Sequence, residues 1–168
     1  AAVVAGEAAA LFEEGLSVVQ TQSYGPEARG GKSKAEVIIA KEPIDYPKAM
    51  KPNLQVILTQ QAAEEYAGDT LPGGRIIYDD FFVTSLPQVD ANIYYLPIVR
   101  TAREKVGNEI TTNMVALGAV ARVLELENIV KPESVKKAIL AKVPEKTKQS
   151  NSLAFDEGYT LFKNSIHL

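Results

Sequence analysis

The sequence predicts an α/β protein, with a mostly parallel β-sheet layered between helices and a helical C-terminal part. Three observations lead there. Short β-branched runs bounded by glycine and proline alternate with helical periodicity through the first hundred residues, the pattern of strands joined by helices. From Thr101 onward the periodicity is helical throughout. The composition, 46% hydrophobic and 23% charged over 168 residues, fits one ordinary globular core. A chain of this length buries roughly two-thirds of its unfolded surface and stands without disulfide or metal.

Ala2, Ala5, Ala8, Ala9 and Phe12 recur at helical spacing, and Gly15 sits where a left-handed C-cap ends a helix, so the chain as given opens in a helix. Residues 17–23 and 35–39 are β-branched runs with breakers on either side and read as strands. Residues 54–59, 75–78 and 93–98 repeat that signature, with a helix over 60–67 between the first two. Thr101 with Glu104 has the pattern of a capping box for a short helix. The long helix 108–126 places Ile110, Met114, Leu117, Ala121 and Leu124 on one side. Its uncharged span, 110–121, needs cover on most sides, from the sheet and its neighbours or from a partner subunit. Pro132 fits the first turn of a helix over 133–143, and a last helix over 152–164 leaves 165–168 as a tail. No repeat or long linker interrupts residues 1–168, which read as a single domain.

Composition excludes several chemistries. Without cysteine the chain offers no thiolate to zinc or to an iron–sulfur cluster and no cysteine nucleophile. A net charge of −3 argues against sequence-independent nucleic-acid binding. No apolar stretch approaches a membrane span and no basic-then-apolar signal opens the chain, which reads as cytoplasmic. Ala1-Ala2 without an initiator methionine reads as a chain whose true start is not shown. The sole histidine, His167, lies in the C-terminal tail, so no Ser-His-Asp triad can be built around it. Asp79-Asp80 follows an apolar strand, where carboxylates hold Mg²⁺ or a ribose, or serve as a loop start or cap. Gly68-Asp69-Thr70 and Pro72-Gly73-Gly74 read as turns. Lys131, Lys136, Lys137, Lys142, Lys146 and Lys148 against Glu133 and Glu145 give a local balance of +4, either a solvated helix face or a docking surface.

The densest segment runs from Ser23 to Lys32 and holds Tyr24, Gly25, Pro26, Arg29, Gly30, Gly31 and Lys32. Gly30 and Gly31 let backbone N–H groups approach a ligand, and Arg29 adds paired donors, a combination suited to a phosphate or carboxylate. The same glycines would equally permit a plain flexible turn.

The run Gln22-Ser23-Tyr24-Gly25-Pro26-Glu27-Ala28-Arg29-Gly30-Gly31, followed by Glu36-Val37-Ile38-Ile39, resembles the signature of the gamma subunit of 2-oxoacid:ferredoxin oxidoreductases. The likeness continues through the glycine turn and the Asp79 strand end, Leu96-Pro97-Ile98, and Asn113-Met114-Val115-Ala116-Leu117-Gly118. It departs at the start: family members open with a strand leading into a Gly-x-Gly-Gly-Gln-Gly turn, which this chain does not show, and no residue of that turn is carried over.

The resemblance implies a three-layer Rossmann-like sandwich in a complex that oxidatively decarboxylates a 2-oxoacid to an acyl-CoA and reduces ferredoxin. It places thiamine diphosphate, Mg and iron–sulfur clusters on partner subunits and no cofactor on this chain, with coenzyme A as co-substrate of the complex. The partners implied are alpha and beta subunits, with room for a ferredoxin-like delta subunit, and the isolated chain is expected to be inactive. On this reading Tyr24, Gly25, Arg29, Gly30, Gly31 and Lys32 take coenzyme A or another anion, while Pro26, Glu27 and Asn113 meet a partner subunit. The form of the run points to 2-oxoglutarate, although pyruvate, branched-chain and indolepyruvate types carry related segments. The rival reading is a free-standing Rossmann-like ligand-binding or nucleotide-dependent protein with an anion-binding loop at Arg29. The glycine fingerprint of a dinucleotide enzyme is not seen, which tells against it. A purely architectural interaction protein differs from the first reading only in whether the loop touches coenzyme A.

Overall fold

The computed structural model describes residue 6, residues 15–24 and residues 33–165. Apart from Gly6, the opening helix predicted over 2–12 lies outside the described residues, as does the tail 166–168 with His167. Two β units follow. Strands β1 (Ser17–Tyr24) and β2 (Ser33–Ala40) pair antiparallel from Ser17↔Ala40 to Tyr24↔Ser33, forming a two-stranded ribbon. Strands β3 (Leu54–Ile57), β4 (Gly74–Asp79) and β5 (Ala91–Leu96) form a parallel sheet in that order.

Helices cover both faces of the parallel sheet, which is why β4 is apolar at consecutive positions instead of alternating. Ile76 and Tyr78 point to one face, where they pack with Ile57, Val83 and with Ala63 of helix α1 (Gln60–Tyr66). Thr59 caps that helix, its side-chain oxygen accepting from the Ala62 N–H at 3.2 Å. Ile77 and Leu96 point the other way. They meet helices α2 (Ile98–Glu104), α3 (Thr112–Leu126) and α5 (Lys148–Lys163) through Ile98, Ala102, Ala116, Ala119, Ala154 and Phe162. Helix α4 (Pro132–Lys142) starts on proline, as predicted, and joins α3 and α5 through Val135, Ala138 and Ile139. Helix, sheet and helix make the three-layer sandwich the sequence predicts.

The ribbon packs at its base, where Val18 and Ile39, with Leu16 just before β1, adjoin the cluster of Leu117, Val135, Ile139 and Phe155. Gly6 lies against its middle: a Cβ there would come 2.8 Å from Gln20 Nε2 and 3.0 Å from Val37 Cγ1. Gly15 has φ 74°, the left-handed conformation expected of the C-cap read from the sequence. Consecutive residues of β2 (34–37) and of β3 (55–57) line a groove of about 180 Å³, together with Ala62, Tyr66 and Asp69.

Helices α3 and α5 cross with their backbones in contact. A methyl group added at Gly118 would overlap the Phe155 carbonyl oxygen and stand 2.7 Å from the Tyr159 nitrogen; one at Gly158 would overlap the Val115 carbonyl oxygen. The apolar run of α3 is therefore covered by the chain's own sheet and α5, with Val115 to Ala121 all buried.

Three sequence expectations are corrected. Ile110 is 89% exposed, because it sits in a 3-10 turn (Glu109–Thr111) that precedes α3 and is out of register with its apolar face. Thr101 is no cap: it is buried mid-way along α2, and the carboxylate of Asp79 accepts from the Val99 N–H at that helix's start. The last helix begins at Lys148, where a polar first turn, with Ser150 Oγ and Asn151 Nδ2 donating to the Thr147 carbonyl, carries no apolar periodicity to reveal it.

Candidate functional site

The densest motif joins the two strands at one end of the ribbon, beyond the Tyr24↔Ser33 pair. Gly25, Pro26, Glu27, Arg29, Gly30, Gly31 and Lys32 lie outside the described residues; Tyr24 is described only as the last residue of β1. What the structure does give is the root of that segment. Thr21 stands opposite Glu36 in the ladder, and its hydroxyl donates to Glu36 Oε2 at 3.1 Å. Lys34, two residues along on the same face, pairs with Glu36 Oε1 at 3.0 Å. Its ammonium also lies 5.2 Å from the ring centroid of Tyr66, the last residue of α1.

Tyr66 is itself held. Gln55 of β3 donates from Nε2 to the Tyr66 carbonyl at 2.7 Å and to Thr70 Oγ1 at 3.0 Å, while Thr70 Oγ1 donates to the Ala67 carbonyl. Gly68-Asp69-Thr70 is thus the turn that follows α1, as read from sequence, and Gly73, at φ 74°, belongs to the turn before β4.

The carboxyl ends of the parallel strands, where open α/β sheets take ligands, are organised by one fully buried carboxylate. Asp79 Oδ1 accepts from the Phe81 and Phe82 N–H groups at 3.0 and 3.1 Å, and Oδ2 from Val99 N–H at 2.8 Å. Of the two readings left open for Asp79-Asp80, the loop-and-cap role is the one the geometry displays. Asp80 faces Arg100 at 3.5 Å on the surface. The turn presents Phe81 and Phe82, their rings edge to face at 4.9 Å. The Arg103 guanidinium lies over Phe81 at 4.9 Å and bonds Glu109 at 2.9 Å, which holds the Glu109 carboxyl below its usual range.

Elsewhere the polar groups serve the fold. Tyr159 donates to Glu125 Oε2 at 2.5 Å and Arg122 to the same oxygen; these two bonds, the tyrosine's first, hold the Glu125 carboxyl below its usual range. Burial, with Tyr95 adding to it, pushes the Tyr78 phenol far above its ordinary value, so it stays protonated at neutral pH. Lys136 pairs with Asp156 and Lys148 with Glu145, each at 2.7 Å. Asn113 stands exposed on the first turn of α3.

Among the described residues no three His, Cys, Asp or Glu side chains converge on a point that could hold a metal ion, and no helix is long and apolar enough to cross a membrane. With no cysteine anywhere in the sequence, the chain offers no thiolate ligand for an iron–sulfur cluster. Sequence reasoning singled out Asp79 at its strand end, with the loop-start or cap role as one reading. It did not find Lys34 or Tyr66, which nothing local marks.

Fold and site define a layered α/β domain that carries a two-stranded ribbon and a carboxylate-stapled aromatic turn. Residues 2–161 match the pyruvate ferredoxin/flavodoxin oxidoreductase family, and the chain belongs to it. It is 48% identical over 165 residues to the 2-oxoglutarate synthase subunit KorC of Methanocaldococcus jannaschii, a match covering 97% of this chain and 86% of that one. The keto/oxoacid ferredoxin oxidoreductase gamma subunit of Geobacter sulfurreducens superposes with a TM-score of 0.82 at 38% identity, over 96% of this chain and 89% of that one. The 2-oxoglutarate:ferredoxin oxidoreductase of Magnetococcus marinus, solved with 2-oxoglutarate, coenzyme A and succinyl-CoA bound, shares the fold at a TM-score of 0.75 and 24% identity. That match covers 95% of this chain and 27% of the other. The resemblance to gamma subunits read from the Tyr24–Gly31 motif is borne out.

Proposed function

We propose that this chain is the gamma-type subunit of a 2-oxoglutarate:ferredoxin oxidoreductase, a single non-catalytic domain over residues 1–168 that packs on larger subunits and helps seat coenzyme A. The observation that carries this is the likeness to KorC along nearly the whole length of both chains. The complex oxidatively decarboxylates the 2-oxoacid, transfers the acyl group to coenzyme A and passes the electrons to ferredoxin in the cytoplasm. Thiamine diphosphate, Mg and the iron–sulfur clusters belong to the alpha, beta and delta subunits, and no step of that chemistry runs through a residue of this chain.

In this reading Arg29 and Lys32 meet the phosphates of coenzyme A, helped by the N–H groups of Gly30 and Gly31, with Tyr24 and Gly25 shaping the approach. Pro26, Glu27 and Asn113 meet a partner subunit. Co-expression with the alpha, beta and delta subunits tests this directly. Coenzyme A-dependent ferredoxin reduction should be fastest with 2-oxoglutarate, and the isolated chain should be inactive. Arg29→Ala should raise the KM for coenzyme A. Failure to assemble, or a preference for pyruvate, would overturn the assignment.

A further inference from the structure

We infer that the Phe81-Phe82 turn is an anchor by which this chain docks into an apolar pocket on a larger subunit of its complex, the two rings entering as a preformed wedge. The inference rests on the proposed assembly with those subunits and names a surface that meets them. Phe81 and Phe82 are 48% and 45% exposed just beyond the carboxyl end of β4. The turn is braced so that it presents them. The Asp79 carboxylate accepts from the N–H groups of Phe81 and Phe82 at 3.0 and 3.1 Å, and Val83, next in the chain, is buried in the core. Beyond it Gln60 Oε1 accepts from the N–H groups of Thr84 and Ser85 at 2.9 and 3.1 Å. The backbone is therefore stapled on both sides of the rings, and their edge-to-face contact at 4.9 Å sets one against the other. Rings placed before binding lose little conformational freedom when a partner covers them, which is the condition that makes aromatic side chains hot spots.

The polar surroundings say what kind of partner fits. Two cations beside the rings are neutralised on this chain: Arg100 pairs with Asp80 at 3.5 Å, and Arg103 lies over Phe81 and pairs with Glu109 at 2.9 Å. An apolar centre inside a charge-balanced rim matches an uncharged, concave apolar surface, as in permanent subunit interfaces, and offers little field to steer a charged carrier that comes and goes. The patch continues toward Asn113, proposed above to meet a partner subunit. Glu109 leads directly into Ile110, which is 89% exposed, and Asn113 stands exposed on the first turn of α3. Two half-exposed phenylalanine rings offer about 200 Å², against the roughly 800 Å² that each side of a stable interface buries. They suffice as one anchor of a broad subunit contact, and not as a dimer interface between two copies of this chain.

The test is release of the chain from the assembled complex on dilution, followed by sedimentation. Phe81→Ala and Phe82→Ala should each raise the dissociation constant by about thirty-fold, the loss of a hot-spot side chain. That factor should be the same at about 0.1 and 0.5 M salt, because the rings act without charge. Both substitutions keep the backbone N–H groups that Asp79 binds, so the isolated variants should melt within about 2 °C of wild type. Should loss of the Arg103 contact unsettle Phe81→Ala, Phe82→Ala carries the test. Leu71, 42% exposed ahead of β4 at the other end of the strand, is the control: Leu71→Ala should assemble as wild type, and an equal loss there would refute a role local to the turn. If wild type joins the larger subunits and both phenylalanine variants join equally well, the anchor is refuted and the assignment of the chain stands. If wild type does not join them, both fall together. Self-association of the isolated chain that the two substitutions abolish, with assembly untouched, would give the turn to a second copy and refute the inference. Unchanged assembly with a raised KM for ferredoxin would refute it as well.

Discussion

Replacing Gly118 by alanine probes the contact that holds the helical layer together. The added methyl would overlap the Phe155 carbonyl oxygen and lie 2.7 Å from the Tyr159 nitrogen, well inside ordinary van der Waals contact. Both obstacles are backbone atoms, so no rotamer change relieves them and α5 must move away from α3. That movement pulls Ala154, Phe155 and Phe162 away from the cores they share with Val115, Leu117 and Ala119. A gap of about 0.5–1 Å forfeits a quarter to a half of each dispersion well. Overpacking alone costs typically about 1–3 kcal/mol, so the combined loss should be about 3–5 kcal/mol. At about 2–4 °C per kcal/mol for a chain of this size, the melting midpoint should fall by about 10 °C, measured by calorimetry or urea unfolding of the full chain. Gly158→Ala should do the same, and the double variant should lose less than the two single losses combined, because one displacement relieves both clashes. Gly68→Ala is the control: nothing lies within 4 Å of its Cβ position, and its stability should stay within about 0.5 kcal/mol of wild type. A Gly118→Ala protein melting within about 2 °C of wild type would show that these backbones are not in contact.

Further expectations concern single polar groups and one turn. Asp79→Ala orphans the N–H groups of Phe81, Phe82 and Val99; at about 1–3 kcal/mol for each unsatisfied group, denaturant unfolding should show a loss of at least about 3 kcal/mol. Asp79→Asn, which keeps one acceptor oxygen, should fall between, and a loss below about 1 kcal/mol for the alanine variant would contradict the hub. Glu125 titrates lower in the folded chain than in the unfolded one, so its stabilising effect is complete above the ordinary carboxylate range and disappears as pH falls through the folded value. Glu125→Gln should therefore be less stable at neutral pH and show a shallower acid limb in an unfolding-versus-pH series; superimposable limbs would count against the Tyr159 and Arg122 bonds. Gly73→Ala forces a side chain into φ 74° and should lower the urea midpoint by the equivalent of about 1–2 kcal/mol, an unchanged midpoint being the contrary result.

How much of this was legible in the sequence depended on the range of the interaction. β4 and β5 announce themselves through β-branched and aromatic runs, and α4 through Pro132, because those signals are local. The cap of α2 was misread since its acceptor, Asp79, is twenty residues away and arrives only when β4 and β5 align. Gly118 and Gly158 look like weak points in helical runs when read singly; their purpose exists only in the crossing of two helices. Ile110 was assigned to the apolar face of α3 because periodicity alone does not mark where a 3-10 turn hands over to an α-helix. The site divides in the same way. The Tyr24–Gly31 run is conspicuous as a motif, whereas Lys34 and Tyr66 become partners only through the packing of the ribbon against α1.

Among the described residues the ribbon shares no hydrogen-bonded ladder with the parallel sheet. The two can therefore drift apart in evolution. Residues inserted or exchanged between Tyr24 and Ser33 leave the β1–β2 pairs and the register of β3, β4 and β5 as they are, so the connection between the two strands can vary while the core stays fixed. Within β2 the tolerance stops at parity. Two extra residues would preserve which side chains share a face, but one would exchange the face that carries Val37 and Ile39 with the face that carries Glu36 and Ile38. Variation in length along this ribbon should thus come in even steps, with odd steps confined to its tip.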